Sequence, residues 1–484
     1  MEENIYESYE TVVGLEVHAQ LLTESKAYNT DSTEYGQLPN TNISVITLAH
    51  PGTLPKLNSR VVDYAIKMGL ALDCEITQHN IFDRKNYFYP DLPKGYQITQ
   101  DKTPICRNGK ITVKTASGDE KFVGITRIHM EEDAGKSLHL EGSEESLIDL
   151  NRAGVPLIEI VTEPDIRTPE QAQAYLQEIR RLVRYLGICD GNMEEGSMRC
   201  DANISVRKKG DTKFGQRVEV KNMNSTRNVM RAIEFEAKRQ IDLIESGGTV
   251  EGETRNFDAP TGITTPLRMK ETMNDYRYFP EPDLQPLEVT ESYIASIRAQ
   301  MPSLPAELRA KFMEEYGLPE YDANVIVDDK ATALYFEELC TKTKHYKAAS
   351  NWIMGPIKSY LNDLTLPMED FSLSPARLAG IIALVEANKI SFAVASQQLF
   401  PEILKNEKSA DELAKELDLL HDSSEDTISP IVEGIIAEFP DKVAAYRAGK
   451  KGLLGMFMGQ LMRRTKGKVD PKVASKLLEE MLEG

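Results

Sequence analysis

A chain of 484 residues is longer than a single hydrophobic core supports, so roughly two to four domains are expected. Hydrophobic content of 41% and charged content of 27% are those of a globular protein. No apolar run approaches the roughly 18 residues of a membrane span, and the acidic start Met-Glu-Glu-Asn-Ile-Tyr-Glu has no signal or transit layout. The net charge of -19 argues against a protein that coats nucleic acid indiscriminately, and five cysteines without C-x-x-C spacing imply no disulfide framework or all-cysteine zinc site. A cytoplasmic protein is expected.

Thr11 to Leu21 reads as a strand: Leu15, Val17, Ala19 and Leu21 share one face, and Glu16, His18 and Gln20 the other. Glu16 and His18 then stand about 7 Å apart on one side of the strand, a spacing that suits one divalent ion or one substrate. Val61 to Leu72 reads as a helix. Phe82 to Gln100 combines Arg84 and Lys85 with Tyr87, Phe88, Tyr89 and Tyr96. It reads either as a phosphate- and base-binding segment or as an aromatic loop that packs on a core.

Further on, Gly124 to Asp133 places Arg127, His129, Glu131 and Asp133 on one strand face. Glu159 stands alone in the apolar run Leu157-Ile158-Glu159-Ile160-Val161. An ionised carboxylate there costs several kcal/mol unless a metal or an arginine compensates it. Thr168 to Ile188 is a strong helix, with Thr168 as cap and Pro169 in the first turn. Met198 to Arg207 alternates Arg199, Asp201, Asn203, Ser205 and Arg207 with apolar residues. A turn around Gly210-Asp211 returns the chain through Arg217, Glu219 and Lys221, with Asn222 behind them. Such a hairpin suits phosphate, metal and amide groups.

Acids and an imidazole on sheet faces, with Arg and Lys nearby, are what phosphoryl transfer from ATP with Mg²⁺ requires. No G-x-x-x-x-G-K-[ST] loop, kinase-type glycine loop or G-x-S-x-G elbow occurs, so a bound nucleotide would lie on an antiparallel sheet.

After about residue 291 the pattern becomes helical, with Pro302, Pro305 and Pro319 as bends, and stays helical through Ser391 to Leu399 and Ser409 to Leu420. Trp352 reads as core; His345 and His421 carry no evident function. The polar segment His421 to Thr427 precedes a last set of helices. Between Asp441 and Lys468, eight basic residues face the single acid Asp441. A basic turn and helix of this kind suits an RNA backbone read by shape. The expected organisation is α+β: a catalytic sheet domain over 1–292, an all-helical domain over 293–405 and a small helical tail over 406–484.

Gly14-Leu15-Glu16-Val17-His18, Phe82 to Pro90, His129 to Lys136, Pro156 to Ile160, Glu194 to Asn203 and Asp275 to Asp283 together resemble the B subunits of aspartyl/glutamyl-tRNA(Asn/Gln) amidotransferases. The resemblance spans essentially the whole chain, and six motifs in the right order make it specific. It implies a glutamine-synthetase-like antiparallel sheet. It also implies a heterotrimer in which an amidase (the A subunit), with a small C subunit, releases ammonia from glutamine. The B subunit would use ATP and Mg²⁺ to phosphorylate the side-chain carboxylate of Glu-tRNA(Gln) or Asp-tRNA(Asn), and ammonia would displace the phosphate. Carried over by motif, Glu16, His18, Glu131 and Glu159 become metal ligands, Glu131 being chosen over Glu132 because it shares a face with His129. Arg199 and Lys221 become charge-neutralising catalytic groups, and Arg84, Lys85, Tyr87, Asn203 and Asn222 nucleotide contacts. Lys450, Lys451, Arg463, Arg464 and Lys466 become tRNA contacts. Relatives often bind zinc through a C-x-C and a C-x-x-C pair; the matching residues here are Asn29, Asp31, Ser44 and Thr47, so no structural zinc is expected. The alternative is a free-standing ATP-dependent carboxylate–amine ligase acting on a small molecule.

Overall fold

The structure, a computed structural model, describes residues 5–140, 142, 144–269, 276–420, 425–465, 469 and 471–483. Asp275, His421, Lys466 and Lys468 lie outside them. The chain divides into two compact units, 1–304 and 305–484.

The first unit is built on a sheet of nine strands among the described residues: β1 (Tyr9–Gln20), β2 (Glu75–Ile76), β3 (Cys106–Lys114), β4 (Glu120–Glu132), β5 (Pro156–Thr162), β6 (Met198–Lys208), β7 (Val218–Met223), β8 (Glu253–Asp258) and β9 (Ile263–Met269). Their spatial order is β9-β8-β7-β6-β1-β5-β4-β3-β2, which puts β1 near the middle between β6 and β5. All pairings are antiparallel except β7 with β8. That pair runs parallel because α3 (Thr226–Glu245) intervenes as a crossover, a connection only parallel strands require.

Alternation along β1 is realised in burial: Leu15, Val17, Ala19 and Leu21 are nearly inaccessible. They join one core with α1 (Ser59–Ala71) and α2 (Pro169–Tyr185), to which α2 contributes Tyr175, Leu176, Ile179 and Val183. Thr168 caps α2 by accepting from the Gln171 backbone N–H, with Pro169 at the first turn, as the sequence indicates. Ile294 and Ile297 of the helix Glu291–Arg298 complete the same core. A short strand, Asp83–Asn86, pairs on one side with Tyr96–Thr99 and on the other with Phe279–Pro280 in a separate small sheet.

The second unit is helical. Trp352 is 1% exposed, its ring 5.2 Å from that of Phe392 and 5.7 Å from that of Phe400. Helix Ala410–Glu416 carries a full capping box between Ser409 and Glu412. Towards the end of the chain Ile428, Val432, Ile435, Phe457, Leu461, Leu478 and Leu482 form a separate small core. No helix among the described residues is long and apolar enough to cross a membrane.

Candidate active site on the sheet face

Strand register, rather than sequence proximity, assembles the site. His18 of β1 lies opposite Glu159 of β5 on one side and Arg199 of β6 on the other. Glu159 in turn lies opposite His129 of β4, and Glu16 opposite Asp201 of β6. Because paired residues of an antiparallel sheet share a face, these side chains converge.

They converge as two clusters. His18, Glu131 and Glu159 each offer a ligand atom, all within 4.8 Å of one another; Glu16, Asp201 and Glu219 do the same. In the first, His18 Nε2 is 3.2 Å from Glu159 Oε2, while His129 Nε2 bridges Glu131 Oε1 at 3.0 Å and Glu159 Oε2 at 3.4 Å. Thr99 Oγ1 donates to Glu131 at 2.8 Å and Gln97 Nε2 at 3.1 Å, which fixes that carboxylate from the small sheet. In the second, Asn203 Nδ2 donates to Glu16 Oε1 at 2.8 Å. Lys221 Nζ contacts Asp201, and Glu219 Oε1 at 3.0 Å.

The electrostatics differ between the two. Burial alone would raise Glu159, yet His129 and His18 together hold it well below the usual carboxylate range. Glu131, also buried, is brought down to about 2 by Lys85 and His129. The same carboxylates raise His129 to about 9 against the opposing effect of burial, and raise His18 as well. Glu16 moves the other way: burial, then Glu159 and Glu219, push it up. Lys221 opposes that rise only in part, and a divalent cation held by Glu16 and its neighbours would favour the ionised carboxylate.

One orphaned atom supports the fit to a hard cation: Asn203 Oδ1 is buried without a hydrogen-bond partner. Asn203 Oδ1 belongs to the residue that holds Glu16. Carboxylate and amide oxygens with one imidazole match the preferences of Mg²⁺ or Mn²⁺, not those of a thiolate-seeking ion.

The other expected contacts are placed as follows. Arg199 Nη2 is 2.9 Å from Asp133 Oδ2, which also accepts from Gln20 at 2.8 Å. Lys85 lies against the rings of Tyr87 and Tyr276, and burial notwithstanding, Glu131 and Glu159 raise its pKa. Arg84, one residue earlier, points away: Glu281 takes it in a two-pronged pair at 2.7 and 2.8 Å, with Asp283 at 3.1 Å. Asn222 has φ of +67° at the end of β7, is exposed, and bonds Asn256 rather than the clusters. Glu132, beside Glu131, accepts from the Ile98 N–H at 3.0 Å and pairs with Lys94. In the second unit Lys451 pairs with Glu483 at 2.7 Å, Arg464 pairs with Glu438, and Arg463 donates to Gln460 at 2.7 Å, while Lys450 is exposed.

Asp201 and Glu219 were legible as polar-face residues of the hairpin, but nothing in the sequence set them beside Glu16. Pairing of β1 with β6 does that. Tyr276, beside Lys85, comes from the motif Asp275 to Asp283 nearly two hundred residues away, and nothing in the sequence set that motif beside Lys85.

Asn29, Asp31, Ser44 and Thr47 do gather, but as partners of one another. Asp31 Oδ2 accepts from the Ser44 N–H at 2.8 Å and Thr47 Oγ1 at 2.5 Å, and Asn29 Nδ2 donates to Thr47 at 3.1 Å. Lys26, fully buried, reaches Thr47 Oγ1 at 3.4 Å and the Asn42 carbonyl at 2.8 Å. A cation of the chain's own sits against a donor set without thiolates, which does not fit zinc.

A largely antiparallel sheet whose polar face gathers two acidic clusters with adjoining basic groups has the chemistry that an ATP-using ligase requires. Residues 11–295 match the family model described as the GatB/GatE catalytic domain, and residues 334–482 match the GatB domain. The chain is 48% identical over 484 residues to the B subunit of the aspartyl/glutamyl-tRNA(Asn/Gln) amidotransferase of Thermosynechococcus vestitus, covering 98% of this chain and 97% of that one. The proteins of the same name from Chlorobium luteolum and Caldicellulosiruptor bescii are each 48% identical over 98% of this chain, which covers 100% and 99% of their own lengths. The chain belongs to the GatB/GatE family of tRNA-dependent amidotransferase subunits.

Proposed function

We propose that this chain is the ATP-using, amide-forming subunit of a cytoplasmic amidotransferase that works with an amidase (the A subunit) and a small C subunit. Its substrate is Glu-tRNA(Gln), Asp-tRNA(Asn) or both. The observation that carries this reading is the pairing of two acid clusters on one sheet face, within family-wide likeness over 98% of the chain.

In this reading His18, Glu131 and Glu159 hold one Mg²⁺, and Glu16, Asp201 and Glu219, with Asn203, hold another. Ions held there would supply charge that positions the ATP phosphates and neutralises the transferred group. Lys85 supplies a fixed positive charge beside the first cluster, and Lys221 beside the second. Tyr87 and the tyrosines around Lys85 keep water from that ammonium. Arg199, anchored by Asp133, orients the substrate carboxylate. The γ-phosphoryl passes to that side-chain oxygen; the acyl phosphate is then attacked by ammonia at carbon, phosphate leaves, and the nitrogen loses a proton to give the amide. Arg84 and Asn222 serve the nucleotide only indirectly, by shaping the walls on which they are held.

The division expected at 1–292, 293–405 and 406–484 is proposed to separate catalysis, a helical spacer and a tRNA-binding tail, with the first boundary moved to residue 304 because Ile294 and Ile297 pack in the core of the sheet unit. A core of its own around Ile428 to Leu482 supports an autonomous tail. Lys450, Lys451, Arg463, Arg464 and Lys466 bind the tRNA backbone, with the surface pairs to Glu483 and Glu438 exchanged for phosphate. The segment Asn29 to Thr47 holds without zinc. The test is an amidation assay of the purified heterotrimer on each mischarged tRNA, with and without ATP. Turnover by the isolated chain on a free amino acid, and none on aminoacyl-tRNA, would favour a small-molecule ligase instead.

A further inference from the structure

Beyond the strand Asp83–Asn86 the chain runs Tyr87-Phe88-Tyr89-Pro90, and here burial inverts. Phe88 is 94% exposed and Tyr89 51% exposed. Their loop is nevertheless held: the Leu92 N–H donates to the Tyr89 carbonyl at 3.1 Å, Gly95 to Leu92 at 3.0 Å, and Gly135 to Asp91 at 2.8 Å. Gly95 has φ of +72°, and a Cβ there would lie 3.7 Å from the Phe88 ring, so the ring rests over that glycine. A ring presented to water by an anchored turn gains nothing for folding.

Inward from this tip the rings continue. Tyr87 meets Tyr89 edge-on at 5.8 Å and Tyr276 at 6.3 Å, and Tyr276 meets Tyr278 at 5.9 Å. Lys85 lies 5.2 Å from the Tyr276 centroid, and its charge is felt by Glu131 and Glu159. An aromatic row thus leads from Tyr89, its half-exposed outer end, to the lysine beside the first acid cluster, and Phe88 stands next to that outer end over Gly95.

We propose that Phe88 and Tyr89 seat an unpaired nucleobase from the 3′ end of the tRNA substrate. The inference rests on the functional reading above, which brings the aminoacyl ester to the acid clusters. The last nucleotides of the acceptor strand then lie within a nucleotide or two of that point. Any base offers a π-face to an aromatic platform without sequence demand, and unpaired strands are held in this way. The adenine of ATP has the same chemistry, so the two sources are separated by experiment.

In the heterotrimer, Phe88→Ala and Tyr89→Ala are assayed for the KM of aminoacyl-tRNA and of ATP. The dissociation constant of uncharged tRNA is measured with its 3′ end intact or shortened by the terminal unpaired nucleotides. Phe88 packs so little of its surface that the alanine variant should fold as the parent does. Loss of stacking raises the aminoacyl-tRNA KM roughly five- to hundredfold, leaves the ATP KM unchanged, and abolishes the preference for the intact end. Phe88→Trp restores binding and Phe88→Leu does not. An unchanged tRNA KM, or a rise confined to the ATP KM, overturns the inference while leaving the functional reading intact. A parent complex that amidates no aminoacyl-tRNA removes the functional reading and this inference with it.

Discussion

His18 and Glu159 face each other across the pairing of β1 and β5, imidazole Nε2 to carboxylate Oε2 at 3.2 Å. The second carboxylate neighbour of the cluster, Glu131, is reached through His129 from the next strand. Around this pair the sheet presents one acid cluster, and one pleat further along β1, at Glu16, it presents the other.

Two clusters predict two separable ions. Titration of the complex with Mn²⁺, followed by paramagnetic resonance, should resolve two sites. Asp201→Asn should weaken one of them roughly 10- to 100-fold and leave the other, while Glu159→Gln does the converse. A single site lost in both variants would mean that the acids serve one ion.

Glu16→Ala removes a cluster acid without touching the tail. ATP-dependent amidation should fall at least about 100-fold, the scale of a lost electrostatic contributor, with tRNA affinity changed by less than about twofold. Amidation assays and filter binding check the two halves. Retained turnover with lost tRNA binding would reverse the assignment.

The pH dependence of the metal-free protein follows from the buried pairs. His129 is raised to about 9 in the folded chain, so its contribution is fully present below its unfolded pKa of about 6.5 and is lost as pH climbs through 9. Glu131, lowered to about 2, contributes above its unfolded value near 4.3 and loses that contribution as pH falls towards 2. Thermal melts in chelator should therefore be highest between about pH 4.5 and 6.5 as far as this pair decides. His129→Gln should flatten the alkaline decline.

Asp31 ties the segment that in relatives often holds zinc. Asp31→Ala strands the Ser44 N–H, removes the acceptor of the Thr47 hydroxyl, and takes from Lys26 the first of the three acids that favour its charge. A loss of about 1–3 kcal/mol in denaturant unfolding is expected, whereas a zinc chelator should leave the parent protein's stability unchanged. A chelator-sensitive melt would show that a metal holds the segment after all.

Lys450→Glu with Arg463→Glu should weaken tRNA binding with little effect on ATP hydrolysis. The slope of log affinity against log salt should drop by about one for each phosphate no longer neutralised. An unchanged slope would remove the tail from the tRNA interface.

Period-two alternation in Leu15 to Leu21, Gly124 to Asp133 and Met198 to Arg207 was enough to divide each strand into a core face and a functional face. Side-chain direction in a strand follows from the backbone pleat alone. Capping chemistry likewise marked the helix after Thr168. Composition set the change to helices, and motif order set the family. Which functional faces meet is a different matter, because register between segments separated by more than a hundred residues is fixed by packing of the common core. Only the folded sheet put Asp201 opposite Glu16, Glu159 opposite both His18 and His129, and Glu219 within reach of the second cluster. Arg84 and Lys85 show the same limit: adjacent cations in sequence, they are sent by the pleat to Glu281 and to the acid cluster respectively. Sequence therefore determined what each strand carries, and tertiary structure decided the partners, since a charge acquires its role from whatever is buried beside it.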